Sequence, residues 1–141
     1  MANAERVEIF DAPIENVFKV LSDYSSYPDF MDGVKSVEIL STKSNSTKVK
    51  YNIDIIKKFT YTLDLVAKEN KSVSWTFDSG DLFKKNNGKW DLKDLGDGTT
   101  EVTYTIDIDF KIMVPGMISK KLVSSNLPSM MKQVCKRAKE L

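Results

Sequence analysis

Thr99-Thr-Glu-Val-Thr-Tyr-Thr-Ile-Asp-Ile-Asp-Phe110 alternates without a break and leads into a methionine-rich stretch whose apolar residues fall three or four apart. Val102, Tyr104, Ile106, Ile108 and Phe110 share one face. Glu101, Thr103, Thr105, Asp107 and Asp109 share the other. A spacing of two that lengthens after Pro115-Gly116 marks a long half-buried antiparallel strand followed by a long amphipathic helix. Met117, Val123, Leu127, Met130, Met131, Val134 and Ala138 form the helical stripe. Pro128 falls inside it, which predicts a kink near Asn126-Leu127 or two helical pieces. A terminal strand and helix of this length predict a curved sheet gripping a helix, with either solid core or a ligand pocket between them.

Upstream, the same alternation recurs between turn signals. Val7 and Ile9 fit a first strand, stopped by the helix-start signal Asp11-Ala-Pro13. Ile14, Val17, Phe18 and Leu21 then follow at helical spacing, and Tyr24 to Met31 reads as a second short helix or turn. Val34, Val37 and Ile39 suit strand two, and Val49, Tyr51, Ile53 and Ile55 strand three. Phe59, Tyr61, Leu63, Leu65 and Ala67 suit strand four, and Val73, Trp75 and Phe77 strand five. Asn86-Asn87-Gly88 reads as a turn that closes a looser segment begun at Ser79-Gly80. Trp90 and Leu92 then open strand six, and Asp97-Gly98 is a strong hairpin signal before the last strand. The order is strand, two short helices, an antiparallel meander of six strands, and a long helix, an α+β architecture with one face of the sheet covered. A single domain over residues 1–141 is expected.

Composition removes several kinds of chemistry. Net charge is +1, so no global field draws the chain to DNA. Histidine is absent, which takes away the usual general base, the commonest metal ligand and every Ser-His or Cys-His nucleophile. Cys135 is the sole cysteine, so no intrachain disulfide or thiolate cluster forms, and its helical position makes it a packing residue. No metal site, cofactor or catalytic residue is assigned. The N-terminus lacks an apolar signal region and no 18-residue apolar run occurs, so a cytoplasmic location is expected. No glycine run matches a phosphate-binding loop; Gly80, Gly88, Gly96 and Gly98 are all assigned to turns.

Asp107 and Asp109 are the paired carboxylates that acid-base chemistry would use, but alternation puts them on the face away from Tyr104 and Ile106. Asp54 and Asp64 point outward by the same rule, leaving Asp78 and Asp81 as further acidic candidates. Lys120, Lys121, Lys132, Lys136, Arg137 and Lys139 make the last helix basic, which suits a solvated face or contact with an anionic membrane or a ribosome. Aromatic placement says more. Tyr51, Tyr61, Trp75, Phe77, Trp90, Tyr104 and Phe110 occupy alternating positions of successive strands, and register decides whether they meet on one face.

The run Asp11-Ala-Pro-Ile-Glu-Asn-Val-Phe-Lys-Val-Leu-Ser-Asp-Tyr-Ser-Ser-Tyr-Pro-Asp-Phe-Met-Asp-Gly-Val34 resembles the polyketide cyclase/dehydrase and lipid-transport family of the START-like, helix-grip (SRPBCC) superfamily. Gly88-Lys-Trp-Asp-Leu-Lys-Asp-Leu-Gly-Asp-Gly-Thr-Thr-Glu-Val-Thr-Tyr104 looks like its penultimate hairpin, and the pattern after Val114-Pro-Gly like its long C-terminal helix. The resemblance implies a helix-grip fold, with a curved antiparallel sheet of six to seven strands around a long C-terminal helix and two short helices after strand one. It also implies a role among hydrophobic-ligand carriers, ubiquinone-binding proteins, aromatase/cyclases and a ribosome-association toxin. No catalytic motif carries over residue by residue.

The expected function is therefore binding, and in some forms transport, of a small hydrophobic or amphipathic molecule such as a lipid, quinone or polyketide. The expected lining is Tyr51, Ile53, Tyr61, Leu63, Trp75, Phe77, Trp90, Leu92, Tyr104, Ile106 and Ile108 from the sheet. Met117, Leu127, Met131 and Val134 come from the helix. Pro115-Gly116 and Ser79 to Gly88 are the expected gates. A cyclase or dehydratase, and a ribosome- or membrane-contacting protein, are the alternatives.

Overall fold

The computed structural model describes residues 2–31, 33–43, 46–54, 58–111 and 126–141. Strand β1 (Ala2–Phe10) precedes helix α1 (Ile14–Ser22), a single 3-10 turn (Tyr24–Ser26) and the short helix α2 (Tyr27–Phe30). Six strands follow: β2 (Val34–Lys43), β3 (Ser46–Asp54), β4 (Lys58–Lys68), β5 (Ser72–Gly80), β6 (Phe83–Asp94) and β7 (Thr100–Phe110). Helix α3 (Asn126–Lys139) comes last. The strands form one antiparallel sheet in the order β1-β7-β6-β5-β4-β3-β2. This is the expected α+β helix-grip arrangement, a curved sheet with the helices against one face.

The β6–β7 hairpin shows how local sequence sets register. Gly96 and Gly98 take φ of +82° and +87°, a region costly for residues with a Cβ. Asp94 accepts a hydrogen bond from the Gly96 amide at 2.8 Å, and Asp97 one from the Thr99 amide at 3.1 Å. With the turn fixed, Trp90 lands opposite Tyr104 and Leu92 opposite Val102. A slip of one residue would turn all of these to the other face.

The core fills the space between sheet and helices. Val17 and Leu21 of α1 share one buried cluster with Val49, Val73 and Val102 of the sheet and Met131, Val134 and Ala138 of α3. Two long-range hydrogen bonds pin the helices in place. Asn16 Nδ2 donates to the Ala138 carbonyl at 3.3 Å, and the fully buried Thr100 hydroxyl donates to the Ala12 carbonyl at 2.8 Å. The Tyr27 hydroxyl donates to the Leu21 carbonyl, tying α2 to the end of α1.

Val7 and Ile9 lie in a strand, as expected, and face solvent, at 52% and 55% exposure, while Phe10 is buried. Register explains this, because Arg6 and Glu8 sit opposite the inward Tyr104 and Val102. Asn86-Asn87-Gly88 is not a turn. It lies within β6, paired to Ile108, Asp107 and Ile106 of β7, so strand six begins at Phe83 rather than Trp90. Gly88 is therefore a strand glycine, and the Trp75 indole occupies the place where its side chain would be. The Ser79 to Gly88 segment is the end of β5, a two-residue link and the start of β6, not a loop. Pro128 stands in the first described turn of α3; the predicted kink falls at the edge of the described residues, and Ile55, Pro115-Gly116 and Met117 lie outside them.

Beyond Trp75 and Gly88, β5 and β6 part. Their register pairs run only from Ser72–Asp91 to Trp75–Gly88. Past that point the Phe77 amide donates to the Asn87 side-chain oxygen at 3.0 Å in place of a backbone carbonyl.

Candidate functional site

Register brings the aromatic residues together. Tyr51 stands opposite Tyr61 across β3 and β4, and their rings are 5.1 Å apart. Trp90 stands opposite Tyr104, edge to face at 4.6 Å, and Trp75 lies 5.7 Å from the same tyrosine. Tyr27 reaches down from α2 to stack on Tyr51 at 6.3 Å. Between these rings and the helices lies a cavity of about 100 Å³.

Of the expected lining, Tyr51, Tyr61, Leu63, Trp75, Trp90, Tyr104 and Ile106 border the cavity. Ile53, Ile108, Met131 and Val134 are buried in the surrounding core, and Phe77 and Leu92 are half-buried against it; among the described residues these six do not border the space. Met117 and the side chain of Leu127 lie outside the described residues. Met130, not Met131, faces the cavity, because one step along a helix turns a side chain by about 100°. Met131 instead packs beneath a surface groove beside Phe10 and Cys135.

Sequence reasoning missed Tyr27, Met31, Val34, Leu65, Val73, Asn86 and Met130. Tyr27 and Met31 are spaced four apart, at the start of α2 and just past its end, a signal that was visible but gave no hint of what it faced. Leu65 and Val73 follow from continuing the alternation of β4 and β5. Asn86 carried no signal, since a buried asparagine in a strand looks like a turn residue.

The wall is electrically quiet. Among the described lining residues there is no carboxylate, lysine or arginine. Arg6 stands opposite Tyr104 in register but pairs with Glu8 at 3.1 Å and does not border the space. Burial pushes the hydroxyls of Tyr27, Tyr51, Tyr61 and Tyr104 far above the ordinary phenol range, and neighbouring tyrosines add to the rise at Tyr27, Tyr51 and Tyr104. All four are neutral hydrogen-bonding groups at physiological pH. The Trp75 indole N–H donates to Asn86 Oδ1 at 3.2 Å. No described group hydrogen-bonds the hydroxyls of Tyr51, Tyr61 or Tyr104.

The acidic candidates stay outside this space. Asp107 pairs with Lys85, Asp78 with Lys48 at 3.1 Å, and Asp81 accepts from the Thr60 hydroxyl at 3.0 Å. Asp54 is exposed, and Asp64 lies 3.9 Å from Lys48. Among the described residues no group of three or more acidic or cysteine side chains is placed to hold a metal ion. On α3, Lys132, Lys136 and Lys139 are exposed, while the Arg137 guanidinium sits 5.5 Å above the Phe30 ring. No described helix is long and apolar enough to cross a membrane.

The family model for polyketide cyclase/dehydrase and lipid transport matches residues 10–135. The chain belongs to the polyketide cyclase/dehydrase and lipid-transport family. No curated protein matches it in sequence. Among solved structures of this fold, the Zhui aromatase/cyclase from Streptomyces sp. R1128 superposes with a TM-score of 0.88 at 17% identity, over 99% of this chain and 94% of that one. A START superfamily protein from Mycobacterium smegmatis gives 0.85 at 21% identity, over 98% and 97%. A STAR-related lipid transfer protein from Xanthomonas axonopodis gives 0.78 at 14% identity, over 97% and 85%. At these identities the polyketide cyclase/dehydrase and lipid-transport family shares a frame with these neighbours; the lining residues are this chain's own.

Proposed function

We propose that the chain binds a small, uncharged hydrophobic or amphipathic molecule in the cavity between sheet and helices, as a single START-like carrier domain. The observation that carries this reading is the wall itself, mostly apolar and aromatic, with the phenol groups of Tyr51, Tyr61 and Tyr104 among its few polar ones. Burial of apolar ligand surface supplies roughly 25 cal/mol per Å² before the costs of association. The family description, which spans cyclases and lipid transport, supports the same class of ligand.

Size narrows the class. An engineered cavity of about 150 Å³ holds benzene, so 100 Å³ suits one small ring or the end of a chain. A polycyclic polyketide or a full lipid would need the walls to move apart. Cyclase chemistry would need an acid or base that ionises near neutral pH, and the described wall offers only strongly raised tyrosines. Binding is therefore the leading reading and cyclisation the second.

Native mass spectrometry of protein purified without denaturation, with solvent extraction of the same sample, tests the proposal. A co-purifying hydrophobic molecule, or displacement of one by small aromatic compounds, is expected. Empty protein that also gives no thermal shift with a panel of such compounds would overturn it.

A further inference from the structure

The Asn86 side chain has its orientation fixed by chemistry. An indole N–H only donates, so the atom 3.2 Å from Trp75 Nε1 is the amide oxygen. The amide nitrogen therefore turns away from Trp75 with two hydrogens to give. Asn86 is 4% exposed, borders the cavity, and has no described acceptor for those hydrogens. A polar amide on a mostly apolar wall is costly unless it finds a partner, and among the described residues the only bond it makes is through its oxygen.

The rest of the wall says what the missing partner is. Tyrosine hydroxyls can both give and take a hydrogen bond, so they do not discriminate. The free half of Asn86 can only give. A carboxylate or phosphate would be placed against Leu63, Leu65, Val73 and Ile106 with no lysine or arginine in the described lining to balance it.

We propose that Asn86, held by Trp75, is the recognition group for an uncharged ligand bearing a hydrogen-bond-accepting oxygen of the ketone or aldehyde kind. This rests on the cavity being the binding site and goes further by naming the ligand chemistry. The carbonyl lies on the amide nitrogen, and the ring or chain that carries it lies on the aliphatic wall. Trp75 is the positioning residue, since its N–H keeps the amide from turning over and offering its oxygen instead.

Three probes separate the cases: acetophenone, α-methylstyrene (the same shape with CH₂ in place of oxygen) and benzoate. Ligand-detected NMR titrations of the full chain give the affinities. Wild type is expected to bind acetophenone about three- to tenfold more tightly than α-methylstyrene, the margin of one net hydrogen bond, and benzoate more weakly than either. Asn86→Leu should bring the first two to parity while keeping α-methylstyrene binding. Trp75→Phe should also lower the preference, because the freed amide can turn; it carries the test if circular dichroism shows Asn86→Leu unfolded. Equal binding of acetophenone and α-methylstyrene by wild type, or a preference that survives in folded Asn86→Leu, overturns the role of Asn86 and leaves the pocket standing. Failure of both neutral probes to bind wild type removes the pocket as well.

Discussion

Replacing Gly88 by alanine should damage the protein more than replacing the turn glycine Gly98, although Asp97-Gly98 is the stronger sequence signal. A Cβ on Gly88 would stand 2.3 Å from Trp75 Cζ2 and 2.6 Å from the Thr105 carbonyl oxygen. Carbon atoms settle near 3.5 Å, so the indole must retreat by about 1 Å. Its bond to Asn86, already 3.2 Å, then breaks. Overpacking costs about 1–3 kcal/mol and the lost hydrogen bond about 0.5–1.5, against a gain of about 0.5–1 from stiffening the unfolded chain. The net loss is about 2–3 kcal/mol, or about 6–12 °C in Tm for a domain of this size. Thermal unfolding by far-ultraviolet circular dichroism measures it, and the near-ultraviolet tryptophan bands report the indole displacement. At Gly98 an added Cβ meets nothing within 4 Å, so only the positive φ of +87° is charged, about 1–2 kcal/mol with unchanged tryptophan bands. A Gly88→Ala protein that loses under about 0.5 kcal/mol and keeps its tryptophan spectrum would refute the packing described for Trp75.

Two further outcomes follow from burial. All five tyrosines have raised pKa values, Tyr24 to about 12, with burial the leading cause in each. A folded pKa above the unfolded one near 10 means that this stabilisation is whole below pH 10 and drains away as pH climbs towards the folded values. Phenolate absorbance at 295 nm should therefore rise together with unfolding; a smooth rise centred on pH 10 in still-folded protein would contradict the buried tyrosine cluster. Met131→Ala should cost about 2–5 kcal/mol in denaturant unfolding, since the side chain is fully buried, while leaving small-ligand affinity within about twofold, because Met130 and not Met131 borders the cavity.

Strands with one buried face were easy to read. In β3, β4 and β7 the alternation alone puts Tyr51, Tyr61, Leu63, Tyr104 and Ile106 on the cavity side. Asn86-Asn87-Gly88 was not readable, for a definite reason. Each residue looks like a turn former in isolation, and each is kept in a strand by a distant partner: Trp75 for Asn86, the Phe77 amide for Asn87, the Trp75 ring for Gly88. Local propensity cannot show such partners. The choice between Met130 and Met131 failed on helix phase, which an apolar stripe wide enough to hold both does not fix. Val7 and Ile9 marked the edge strand correctly, but its half-buried positions, opposite Tyr104 and Val102 of β7, are the polar Arg6 and Glu8, while its aliphatic ones lie outside.

The seven strands are continuous only through a narrow joint. The β1-β7-β6 group and the β5-β4-β3-β2 group share four residue pairs, from Ser72–Asp91 to Trp75–Gly88, and below that joint each is laddered only to its own side. The opening is closed at its far end by the two-residue link Asp81-Leu82, so the seam is a slot between two ties, with Trp75 wedged over Gly88 at one of them. Inside the slot asparagine side chains reach across, Asn86 to the Trp75 indole and Asn87 to the Phe77 amide. A ladder tolerates almost any residue, because backbone bonds backbone; here the seam depends on two particular side chains, and its integrity is written in the sequence at Asn86 and Asn87.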